Sequence, residues 1–122
     1  MCPESSLQAL QAVLGKESTE IALKTFLVES SQTLNDVTLL MATPDYSVKT
    51  LRATLHKLRG LVSSVCAHQA EMSLAAVQEA IANGELSSVN SLFVTFEQDL
   101  ETFHKCILRH LDEDSTASQQ PL

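Results

Sequence analysis

The chain has 122 residues, with 15 acidic and 8 basic side chains, a formal net charge of −7 and 44% hydrophobic residues. That length suits one compact domain, and the apolar fraction supports a buried core rather than a disordered tail. Three glycines, three prolines and no tryptophan punctuate too sparsely for an all-β chain, and the acidic balance argues against general nucleic-acid binding, because phosphate backbones attract positive surfaces.

Pro3 and Glu4 read as a helix start, with Pro and acid in the first turn. Leu7, Leu10, Val13 and Leu14 follow at helical spacing, and Gly15 supplies a stop. A second helix, capped by Ser18 or Thr19, carries the stripe Leu23, Phe26, Leu27, Leu34, Val37 and Met41. Thr43, Pro44 and Asp45 break it, since proline disfavours helix in the residue before it. Asp45 is the expected cap of a third helix from about Tyr46 to Ala67. A fourth is expected from Glu71 to Ala82, with Leu74, Val77 and Ile81 inward, before the Asn83-Gly84 turn. In the fifth, Leu86, Val89, Phe93, Phe96, Leu100, Phe103 and Ile107 step by three and four, and a stripe of that length needs partner helices. Residues 112–122 are polar and expected to fray. The expected fold is all-α: an antiparallel (up-down) four-helix bundle with a short additional N-terminal helix, one domain over 1–122 and a bundle core of about 17–111.

The third helix differs from the rest in charge. No acidic residue lies between Asp45 and Glu71, yet Lys49, Arg52, Lys57 and Arg59 are there, half of the chain's basic side chains. At about 100° per residue with His56 at zero, Lys49 falls near about +20°, Arg52 about −40°, Arg59 about −60°, Gly60 about +40° and Ser63 about −20°. Lys57 lies to one side, near about +100°. Leu51, Leu55, Leu58, Leu61, Val62 and Val65 occupy the opposite arc. His56 therefore faces away from the core inside a basic stripe. Such a stripe is most often a solvated face, and an outward His is usually a plain surface residue. Gly60 is harder to explain, because a mid-helix glycine costs about 1 kcal/mol against alanine and core packing does not require one on the outer face. Close approach by a partner does. A histidine among cations beside a cleared patch suits a transferable phosphoryl group: imidazole supplies a nucleophilic nitrogen, and Arg and Lys balance the arriving charge.

His56-Lys57-Leu58-Arg59-Gly60 resembles the His-x-Leu-Lys/Arg-Gly signature of histidine-containing phosphotransfer (HPt) domains. Asp45-Tyr46 before it, Leu74-x-x-Val77-Gln78 after it and Gly84 before the last helix extend the likeness over roughly residues 17–110. Leu55, Leu61, Ala70 and Leu74 depart from the residues usual in the family. The resemblance implies that His56 is the phosphoacceptor through Nε2. It implies that Arg59, and more loosely Lys57, offset the phosphoryl charge, and that Gly60, with Ser63, leaves room for the donor. Arg52 and Lys49 complete the basic face. Gln78 falls where the family often places a Gln or Glu that bonds the other ring nitrogen; the alternative is an exposed polar residue on the fourth helix.

The expected function is a phosphorelay carrier that takes a phosphoryl group from a receiver-domain aspartate and passes it to a response-regulator aspartate. The expected partners are therefore receiver domains of response regulators or of a hybrid histidine kinase. Gly15, Gly60 and Gly84 form no phosphate-cradling loop, so no kinase activity and no intrinsic cofactor are expected; Mg²⁺ belongs to the receiver. The alternative is a helical protein-interaction module without phosphochemistry. No metal site is expected: His68, His104 and His110 make no pair at the three- or four-residue spacing of helical metal ligands. Glu97, Asp99 and Glu101 read as the solvated side of the fifth helix. Cys2, Cys66 and Cys106 are too few for a disulfide framework, with Cys66 and Cys106 read as buried fillers. Neither a signal peptide nor a run of the roughly 20 apolar residues of a membrane span is present. A cytoplasmic monomer without direct membrane contact is expected, either free-standing or as the cytoplasmic part of a membrane-anchored hybrid sensor kinase.

Overall fold

A computed structural model describes the backbone of residues 4–119 and the side chains of residues 7–112. Five helices follow one another: α1 (Glu4–Leu14), α2 (Lys16–Ala42), α3 (Val48–Ser64), α4 (His68–Ala82) and α5 (Leu86–Gln119). Packing runs α2 on α3, α3 on α4, α4 on α5 and α5 back to α2, with α1 laid on α2. The fold is the all-α bundle with an extra N-terminal helix that the periodicities call for.

The boundaries follow from local chemistry. Gly15, at φ 84°, joins α1 to α2 in a single residue and is itself the residue before α2. Neither Ser18 nor Thr19 caps α2; Thr19 is buried and donates its hydroxyl to the Gly15 carbonyl at 2.7 Å. Asp45 is not the cap of α3. It turns the chain at φ 56°, and Ser47 accepts the Thr50 N–H at 3.2 Å instead.

α3 stops at Ser64, earlier than the apolar pattern implies. Cys66 adopts the left-handed φ of 59°, its N–H bonds the Ser63 carbonyl at 3.1 Å, and the Ala67 N–H bonds the Val62 carbonyl at 3.0 Å. This is a Schellman closure without glycine. It moves His68 from the expected end of the third helix to the first residue of α4. α4 closes in the same way with glycine in place: Gly84, at φ 73°, bonds the Ile81 carbonyl, and Glu85 bonds that of Ala80. α5 runs helically to Gln119, so the fraying expected from residue 112 is absent up to that point; 120–122 lie outside the described residues, as do Pro3 and the start it was read to make.

The core is continuous. Leu23, Phe26 and Val37 of α2 meet Leu51, Leu55, Leu58 and Val62 of α3, Leu74 and Val77 of α4, and Phe93, Phe96, Leu100, Phe103 and Ile107 of α5. Leu27, Leu34, Met41 and Leu61, all expected inward, are only partly buried, and Leu86 is exposed. Ser30 and Thr33 are buried on α2 in their place. Ser30 satisfies its hydroxyl on the Phe26 carbonyl, which lets a polar side chain sit in the core. Leu51, Leu55, Leu58 and Val62, buried in one row along α3, fix that helix's roll, and so turn its other face outward.

Candidate functional site

The outer face of α3 carries His56. With Leu55 and Leu58 buried to 1% and 0% exposure, the imidazole between them is held out in solvent. Among the described residues it has no hydrogen-bond partner. It stands in an open cleft between α3 and α4, lined by Arg52, His56 and Arg59 from α3 and by Ala75, Gln78, Glu79 and Ala82 from α4, with Leu55 and Ile81 as the floor. Arg52, His56 and Arg59 are four and three residues apart, which puts them in one row.

Arg59 is tied across the cleft. Its Nη1 donates to Gln78 Oε1 at 3.0 Å. The family resemblance offers Gln78 as a partner of the imidazole, the alternative being an exposed polar residue; in the structure its carbonyl accepts from the neighbouring guanidinium. Gln78 is half-buried while Arg59 is exposed, so the amide is the fixed end of the pair.

The other two cations of the stripe lie elsewhere. Lys49 and Lys57 line a separate polar groove on the α2 side of α3, with Thr33, Asp36, Thr50, Ala53 and Thr54. The single basic stripe of the helical wheel is thus two: arginines towards α4 with His56, lysines towards α2. Ser63 is exposed one turn beyond Gly60 and lines neither groove. Gly60 is exposed too, and a Cβ placed on it would meet nothing within 4 Å. The fold therefore has no internal need for glycine there.

Glu79 was not singled out from the sequence, nor were the small Ala75 and Ala82 that keep the cleft open. Residues 75, 78, 79 and 82 share one face of α4 at helical spacing, so the signal existed, but only the packing of α4 on α3 says which face lies beside His56. Glu79 lines the cleft with the two arginines but forms no ion pair with either of them.

Among the described residues no group of three or more His, Cys, Asp or Glu is placed to hold a metal ion, and no helix is long and apolar enough to cross a membrane. His104 Nε2 lies 2.8 Å from Ser30 Oγ. Cys66 is free and partly buried. Cys106 is buried, 3% exposed.

No protein-family model matches the sequence, and no curated protein matches it. Solved structures do match the fold. A rice protein described as a histidine-containing phosphotransfer protein superposes with a TM-score of 0.82 at 14% identity, over 93% of this chain and 83% of that one. A histidine-containing phosphotransfer protein from maize gives 0.81 at 14% identity, with the same coverage of both chains. What this chain shares with those proteins is the fold.

Proposed function

We propose that this chain is a phosphocarrier of a phosphorelay, with His56 as the group that is phosphorylated. One observation carries the reading: in the fold shared with the rice and maize phosphotransfer proteins, the His of His56-Lys57-Leu58-Arg59-Gly60 stands exposed beside two arginines, with nothing over Gly60. Neutral imidazole attacks with Nε2 while Nδ1 keeps its proton. The Nε2–P bond forms as the bond from phosphorus to the receiver's aspartyl oxygen breaks, and the electron pair leaves on that carboxylate. In the second half a carboxylate of another receiver attacks phosphorus, and the electron pair of the N–P bond returns to Nε2.

Positioning and electrostatics supply the catalysis. Arg59 and Arg52 stabilise charge on the equatorial oxygens. The bare backbone at Gly60 admits the rim of the receiver's pocket, and Mg²⁺ comes with the receiver. Lys57, Lys49 and Ser63, lying outside the cleft, serve docking rather than the phosphoryl group. Such a chain is not itself a kinase; its setting is cytoplasmic, free-standing or within a hybrid kinase.

The test is transfer from a phosphorylated receiver to wild type and to His56→Gln. Wild type should acquire an acid-labile, alkali-stable phosphoryl group and the variant none. Equal labelling of both would remove His56 from the role. Stable receiver binding with no labelling of wild type would leave a protein-interaction module.

A further inference from the structure

We propose that Gln78 is a positioning residue for Arg59, and not for the ring of His56. The inference rests on the carrier reading above and assigns the division of labour within that cleft. The geometry points to it: Gln78 Oε1 accepts from Arg59 Nη1 at 3.0 Å across the α3–α4 cleft, while His56 has no bond to Gln78. Arg59 is exposed on a long flexible side chain and Gln78 is partly buried on a packed helix, so the amide restricts the arginine and not the reverse.

An amide suits this task better than a carboxylate. A carboxylate at position 78 would hold the guanidinium but cancel the charge that an incoming phosphoryl group needs, and the cleft already contains Glu79. The Gln78 carbonyl engages one N–H and leaves the other donors of the guanidinium free for phosphoryl oxygens. Ordering a rotamer-rich side chain before the partner arrives removes that entropic cost from the transfer step. His56 then has no fixed partner in the free protein, and its tautomer is set by solvent.

A double-mutant cycle on the full chain separates the two roles. Transfer rates from a phosphorylated receiver are measured for wild type, Gln78→Ala, Arg59→Ala and the double variant, with the His56 tautomer read by 15N NMR. Gln78→Ala should slow transfer roughly three- to tenfold, with no change in the His56 ring resonances. In the Arg59→Ala background the same substitution should have no further effect. An equal slowing in both backgrounds, or a shifted tautomer in Gln78→Ala, would overturn the role of Gln78 while leaving the carrier reading intact. A wild type that takes no phosphoryl group would overturn the reading and this role with it.

Discussion

His104 stands partly buried on α5, its Nε2 2.8 Å from Ser30 Oγ and its ring edge-on to Phe26 at 5.6 Å. The Ser30 proton goes to the Phe26 carbonyl, so Ser30 Oγ accepts and His104 Nε2–H donates, which fixes the tautomer. Burial pushes this imidazole below its ordinary value of 6.5. The folded state thus binds the proton less readily than the unfolded chain. The stability that the neutral ring contributes is complete above 6.5 and is lost as pH falls below it, towards the folded value. Urea midpoints measured at about pH 7.5 and about pH 5.5 should therefore drop on acidification, and the drop should shrink in His104→Gln. An unchanged drop in the variant would place the proton uptake on another group. His56 is exposed and has no such partner among the described residues, and that difference in burial is what leaves one imidazole available for chemistry and ties the other down.

At the scale of the helix, one substitution has opposite signs at two glycines. Gly60 lies within α3 with open space around it, so Gly60→Ala should raise stability by up to about 1 kcal/mol through helix propensity. Gly84, at φ 73° in the closure of α4, should lose about 1–2 kcal/mol on the same change, because a Cβ is strained in the left-handed region. Thermal unfolding of the pair checks both. A large residue at position 60 adds the functional half of the argument. Gly60→Leu should leave the bundle folded, since nothing within 4 Å opposes a side chain, yet slow labelling by a receiver. If labelling is unaffected, glycine there is not an access device. Cys66 makes the complementary point, holding φ 59° in a closure that usually uses glycine.

Across the whole molecule, charge is partitioned rather than uniform. The net −7 averages an acidic bundle with one helix whose cations face two directions, Arg52 and Arg59 towards α4 and Lys49 and Lys57 towards α2. The two grooves should separate in solution. Reversing Lys49 and Lys57 to glutamate should slow association with an acidic receiver and flatten its salt dependence, while the lifetime of the phosphohistidine once formed stays unchanged. Stopped-flow association across a salt series, set beside a chemical-stability assay of the phosphorylated protein, decides this. A shortened lifetime would mean that the lysines reach the phosphoryl group from the α2 side.

The sequence by itself determined the helices, the inward and outward faces of α3 and the chemical candidacy of His56. These follow from the 3.6-residue period and from residue type, both local properties. It mislaid the α3–α4 boundary because the break at Cys66 is a left-handed turn without glycine or proline to announce it. It also extended the apolar face of α2 through Leu27 and Leu34, whereas Ser30 and Thr33 are the buried residues there, and the burial of Ser30 depends on a hydrogen bond to the Phe26 carbonyl that no pattern records. Only the packing of α4 and α2 on either side of α3 decided which cations share a cleft with His56, brought in Glu79 and set Gln78 on Arg59. A helical wheel orders residues around one axis; which neighbour stands at a given angle is a property of the assembled bundle.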